Sequence, residues 1–161
     1  MNIIRSLVIG TTVVAAGAGA TAVLAATGSA SAGTASASRS FTVNAHRGSD
    51  TNIDLGKTGF SAGDQDLFTG TLTRAGNRVG RFAGSCTTAR VGQTADQLCE
   101  FVLRLGKGQI TASGTVRSGQ SGPGTFALPI LGGTGRYQGV GGQISVTATN
   151  GSSFPIQVSV R

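Results

Sequence analysis

Tryptophan is absent from this chain, and histidine and tyrosine occur once each, as His46 and Tyr137. Acids are scarce as well: six Asp and Glu, of which Glu100 is the single Glu, stand against 13 Lys and Arg. Each shortage removes a class of chemistry. No Ser/His/Asp order can be assembled around the single His; His46, beside Arg47 at an expected strand end, reads as a solvated loop histidine. The only cysteines, Cys86 and Cys99, cannot complete a zinc site with a His so distant in sequence, so no metal is expected. The cations stand singly, without a basic run or an aromatic ladder for stacking bases, which argues against nucleic acid as a partner. Scattered cations keep a small protein soluble, and a net charge of +7 leaves at most a weak attraction to anionic surfaces. A dinucleotide fingerprint is missing too. Gly133-Thr134-Gly135 would need glycine at Gln138, and a strand pattern follows where a helix N-terminus should stand. No cofactor is expected.

The first 32 residues read as a secretory signal peptide. Arg5 supplies the positive region, Leu7 to Ala26 is apolar and uncharged, and Ala30-Ser31-Ala32 offers a small-x-small cleavage site, with Ala35-Ser36-Ala37 as a second. The rival reading is a retained anchor, since Leu7 to Ala26 could just span a bilayer. Its wealth of Ala, Gly and Thr favours cleavage, a secreted product and no stable membrane anchor afterwards. Cleavage removes Arg5 and leaves 129 residues with 12 cations and six acids, enough for one domain and one core. Residues 33–38 are a small-residue tail expected to be disordered, and 39–161 form the domain.

Beyond the tail, apolar and polar residues alternate, and no helical periodicity exceeds two turns. The alternation predicts eight strands: Ser40–His46, Gln65–Arg74, Arg78–Arg90, Gln97–Leu105, Gln109–Arg117, Thr125–Leu131, Gln143–Thr149 and Ser153–Val160. Links such as Ala75-Gly76-Asn77, Gly106-Lys107-Gly108 and Asn150-Gly151 make neighbours antiparallel. The stretch from Arg47 to Asp64 is the exception, either a cap over one end or a short extra strand. Evenly spaced strands with tight turns mean a sandwich or a barrel.

The cysteines supply a register. In an exported protein two cysteines tend to form a disulfide. If Cys86 faces Cys99 across a hairpin, Gly84 faces Phe101 and Phe82 faces Leu103, while Ser85 meets Glu100 and Arg81 meets Arg104 on the other side. The disulfide face is then apolar and its reverse polar, and a one-residue slip would mix them. Val91 to Thr94 remains as the loop. The same choice of face elsewhere selects Phe41, Val43, Phe68, Leu72, Ile110, Val116, Phe126, Leu128, Ile130, Ile144, Val146, Ile156 and Val158 as interior, none of them charged. Glu100 falls outside, as a surface ion-pair partner for Arg81 or Arg104. Asp64 and Asp66 flank Gln65 at a barrel end, a spacing that could serve acid/base work but is usually solvated.

Leu131 to Val146, LGGTGRYQGVGGQISV, is a glycine-aromatic-glycine loop feeding an alternating strand. It resembles the corresponding segment of plant allene oxide cyclases and, more loosely, of dirigent proteins. Gly63-Asp64 with Phe68-Thr69 and Leu72, Arg78-Val79-Gly80 with Ala83-Gly84-Ser85-Cys86, and Gly108 to Gly114 resemble further family segments in the same order. The resemblance covers about residues 60 to 150. It implies an all-β, eight-stranded antiparallel barrel of calycin type, shared by oxylipin cyclases, lignan-directing proteins and small barrels that catalyse cycloadditions. It also implies a homo-oligomer as one arrangement. The chain departs from the cyclases at Leu67 and Gly70, where they carry Pro and Asn, and at Tyr137, where Phe is usual. These changes weaken the case for allene oxide as substrate.

Eight-stranded barrels fill their interior or keep room for one small ligand. Gly70, Gly84, Ala112, Gly114 and Ala148 leave space beside Phe41, Phe68, Phe82, Phe101 and Phe126. The pocket candidates are therefore Phe68, Phe82, Phe101 and Phe126, with Tyr137 as a lid and Asp64 as a mouth residue or turn cap. The leading expectation is a secreted barrel that holds an apolar small molecule and directs its cyclisation or isomerisation by confinement. The alternatives are a non-catalytic binding barrel and a structural protein with a filled core. A cavity above about 300 Å³ separates the last from the others.

Overall fold

The computed structural model describes residues 38–119 and 124–161. The expected leader lies outside the described residues. Eight antiparallel strands form a closed barrel in sequence order: β1 Arg39–Ile53, β2 Gln65–Arg74, β3 Asn77–Arg90, β4 Thr94–Leu105, β5 Gly108–Gly119, β6 Thr125–Gly133, β7 Gly142–Thr147 and β8 Ser153–Val160. The described helix content is one 3₁₀ turn, Gly135–Tyr137. Closure depends on β1, whose first half pairs with β8 and whose second half pairs with β2. Two-residue turns join β2 to β3 and β4 to β5. Ala75 and Gly76 both have positive φ, the backbone of a turn whose twist matches that of the strands it joins.

The β3–β4 register is the one the cysteines imply. Cys86 faces and is bonded to Cys99, Gly84 faces Phe101, Phe82 faces Leu103, and Arg81 faces Arg104. The ladder shifts by one between Thr88 and Arg90, so β4 begins at Thr94 and the loop is residues 91–93.

β1 is twice its expected length and corrects the reading of Arg47 to Asp64. Pairing with β2 continues to Ile53↔Gln65, across a bulge between Arg47 and Ser49. A bulge inserts one residue and reverses which side chains face in. Before it the inward set is Phe41, Val43, Ala45 and Arg47; after it Asp50 lies opposite Phe68 and Asn52 opposite Asp66. His46 is therefore no loop residue. It sits within the strand on the outer wall, its Nδ1 2.7 Å from Ser153 Oγ and its Nε2 2.9 Å from Thr73 Oγ1.

The core fills the middle of the barrel. Leu72, Leu103, Ile110, Leu128, Ile144 and Ile156 are wholly buried, each burial contributing roughly 1.5–3 kcal/mol. Ala45, Phe154 and Val160 join it from positions outside the expected interior set. At one end, the loop after β6 presses onto the β4–β5 hairpin: Thr134 donates to Gln109 O and Arg136 to Lys107 O. A Cβ on Gly135 would lie 2.4 Å from Lys107 O, so only glycine permits that approach.

Candidate functional site

The strands give the barrel two rims. The upper rim carries the ends of β1 and β3 and the starts of β2, β4 and β8. The lower rim carries the start of β1, the two short turns and the 3₁₀ turn. An open cavity of about 510 Å³ descends from the upper rim. Phe68, Phe101, Phe126 and Phe154 are among its walls. Their rings form a connected set: Phe68 lies 5.1 Å from Phe101 between centroids, and Phe101 lies 6.2 Å from Phe126. The β5–β6 ladder ends at Ala112↔Ile130. Beyond it Gly114 still packs against Leu128 and Pro129, and Val116 and Thr125 line the cavity.

The mouth is polar. Arg47, Asp50, Asn52, Asp66 and Gln97 border the cavity, and this corrects the uncharged interior expected from the sequence. The Arg47 guanidinium sits 5.8 Å from the Phe68 ring centre and 5.9 Å from that of Phe154, a cation–π placement. It also pairs with Asp50. Asp66 is held toward its protonated form. Burial raises its pKa first, and the Asp50 charge raises it further against the pull of Arg47. A carboxyl so placed donates a hydrogen bond more readily than a solvated one.

The six candidates separate. Phe68, Phe101 and Phe126 meet in the cavity wall. Phe82 lies a layer below, buried against Phe68 at 6.3 Å and Phe154 at 5.7 Å. Asp64 organises the β1–β2 loop: its carboxylate accepts the N–H of Leu55 at 2.9 Å and of Ser61 at 2.6 Å. These bonds hold its pKa below the ordinary value, Ser61 contributing most. Tyr137 is at the lower rim, 6.5 Å from Phe41, so the barrel core separates it from the phenyl-walled cavity. The disulfide lines the cavity beside Phe101.

Asp66 was legible, because it shares its parity with Phe68 and Leu72. Phe154 was legible on the same ground beside Ile156. Arg47 and Asp50 were not, since the bulge decides which way they point. Outside the barrel, Asp96 accepts from Arg90 at 2.7 Å and from Arg117 at 2.9 Å. Glu100 lies opposite Ser85 as expected but makes no ion pair among the described residues, which corrects the pairing with Arg81 or Arg104. No three His, Cys, Asp or Glu side chains cluster as metal ligands among the described residues.

No protein-family model matches the sequence, and no curated protein does. Solved structures do. A pyocyanin demethylase aligns with 76% of this chain and 100% of its own, at 25% identity and a TM-score of 0.70. A Diels–Alderase from Streptomyces koyangensis aligns with 76% of this chain, at 20% identity and a TM-score of 0.63, and this chain spans 63% of its length. A pterocarpan synthase dirigent protein aligns with 77% of this chain and 93% of its own, at 14% identity and a TM-score of 0.57. In fold, the chain is an eight-stranded barrel of the kind shared by cycloaddition cyclases and dirigent proteins.

Proposed function

We propose that the barrel takes one small, largely apolar molecule through its upper rim and directs its cyclisation or isomerisation inside the phenyl-walled cavity. The observation that carries this reading is the cavity itself. Its size falls within the usual range for small-molecule sites, about 300–1,000 Å³, and its lining joins four phenyl rings to a set of charged and polar side chains. Such a site holds a flexible precursor in a reactive fold by shape, which removes part of the entropic barrier without a cofactor. Arg47 and Asp66 add direction. A polar end of the molecule would meet the Arg47 guanidinium and the Asp66 carboxyl, while its apolar length lies along Phe101 and Phe126. The barrel neighbours named for a cycloaddition, a demethylation and a pterocarpan synthesis support small-molecule chemistry in this fold without choosing among reactions. Export with cleavage near Ala32 belongs to the same proposal and rests on the leader pattern.

The test has two stages. The neutral dye N-phenyl-1-naphthylamine should bind the mature protein with micromolar affinity, and Phe101→Leu should weaken it. No binding would favour a structural role. Linear polyenes ending in an electrophilic carbonyl are then incubated with excess protein and followed by mass spectrometry and chromatography. Accelerated formation of an isomer of unchanged mass, slowed by Asp66→Asn, supports catalysis. Binding with no acceleration for any substrate leaves a carrier.

A further inference from the structure

The cations that stand singly in the sequence converge in the fold. A second concavity, about 1,130 Å³, opens at the lower rim, and Arg39, Arg74, Arg78, Lys107, Arg136 and Arg161 all line it. No acid does. Five of the chain's six acids, Asp50, Asp54, Asp64, Asp66 and Asp96, belong to the upper rim and its loops, and Glu100 lies on the outer wall partway along β4. Every ion pair among the described residues is likewise at the upper rim. Six cationic side chains thus share a concave surface to which no Asp or Glu side chain contributes.

The floor of that concavity is apolar. Phe41, Val79, Leu105, Tyr137 and Val140 contribute to it and are only half-buried. Phe41 and Tyr137 lie 6.5 Å apart, and the Arg74 guanidinium sits 5.7 Å from the Phe41 ring centre. The backbone beneath is pinned, because Arg136 donates to Lys107 O, and Gly141 and Arg161 exchange hydrogen bonds at 3.2 and 3.1 Å. A ring of cations over a hydrophobic floor suits a ligand with both characters. Its volume and apolar floor favour a molecule that enters over a flat anionic surface that touches only the rim.

We propose that the lower rim is a second ligand site, separate from the upper cavity, and that it takes an amphiphilic anion: a sulfonate, carboxylate or phosphate ester on an apolar ring or chain. The head meets the arginines and Lys107, and the ring or chain rests on Phe41 and Tyr137. Repulsion among the clustered cations is relieved when the anion binds, so affinity must fall as salt screens the field.

The experiment titrates the mature protein with naphthalene-2-sulfonate and with uncharged 2-naphthol at neutral pH, following backbone amide signals by NMR. The sulfonate should shift the amides of residues 105–107 and 136–140, and 2-naphthol should bind there at least about tenfold more weakly, a difference of about 1.4 kcal/mol. Raising salt from about 20 to about 300 mM, which shortens the screening length several-fold, should cost the sulfonate about tenfold. The double variant Arg74→Gln/Arg136→Gln should lose the preference for the sulfonate. Arg81→Gln/Arg104→Gln, which removes equal charge from the outer wall, should keep it. Equal binding of both probes at the lower rim, shifts confined to residues 97–101, or salt-independent affinity would overturn the proposal. So would a response to anionic vesicles or DNA alone. The salt series needs no variant, so it decides the matter even if a substitution unfolds the chain.

Discussion

Gly84→Ala tests how the cavity wall is built. Gly84 stands between Phe68 on β2 and Phe101 on β4, and the Phe68 ring lies across its bare backbone. An added Cβ would come within 2.3 Å and 2.6 Å of Phe68 ring carbons and 2.7 Å of Glu100 O. The carbonyl belongs to the β3–β4 ladder and cannot retreat without disturbing it. The ring is flanked by Phe82 and Phe101, so its one free direction is into the cavity. Overpacking of this kind costs about 1–3 kcal/mol, and the lower backbone entropy of alanine returns roughly 0.5–1 kcal/mol. The net expectation is a loss of about 1–2 kcal/mol by urea unfolding, with a narrower cavity and weaker N-phenyl-1-naphthylamine binding. Gly114→Ala is the control, since the nearest atoms its Cβ would meet are all side-chain atoms, Pro129 Cδ at 3.2 Å, Leu128 Cδ2 at 3.3 Å and Pro129 Cγ at 3.9 Å. It should stay within about 1 kcal/mol of the parent. Adding Phe68→Leu to Gly84→Ala removes the clashing ring edge and should show favourable coupling in a double-mutant cycle. If Gly84→Ala were as stable and bound dye as well as the parent, the close approach would not constrain the wall. Absence of coupling would place any loss at Glu100 O instead.

Asp66→Asn should stabilise the fold at neutral pH. The folded state raises the pKa of Asp66, so the parent loses stability as pH climbs through that raised value, and parent and variant converge below the ordinary carboxylate range; a parent that gains on the variant with rising pH would refute this. Reducing Cys86–Cys99, whose sequence separation is 13, should cost roughly 2–4 kcal/mol, and thiol titration of the untreated exported protein should find no free thiol. Tyr137→Ala should leave dye affinity in the upper cavity unchanged within about twofold, because the core lies between them; a tenfold loss, about 1.4 kcal/mol, would contradict the separation of the two rims. The exported form should have a mass that begins at or near Gly33, and a mass retaining Met1 would exclude cleavage.

Local rules carry far in this chain. Alternation of apolar and polar residues, two-residue turns and the facing of Cys86 with Cys99 specify eight strands, their order and the β3–β4 register, because each depends on neighbours in sequence or on one hairpin. The phenyl wall follows from the same parity, through Phe68, Phe101 and Phe126. Tertiary structure alone decides the rest. The bulge after Arg47 depends on how β1 must bend to serve two neighbours, and it turns Arg47 and Asp50 into the mouth. Closure also assigns each residue to a rim. Strands alternate direction, so every second link reaches the same end, and Arg78, Lys107 and Arg136, spaced evenly along the chain, converge with the first and last strand ends. A search for runs of charge sees isolated cations there. The barrel gathers them at one rim and leaves five of the acids at the other, because an up-and-down barrel brings together what the sequence holds one hairpin apart.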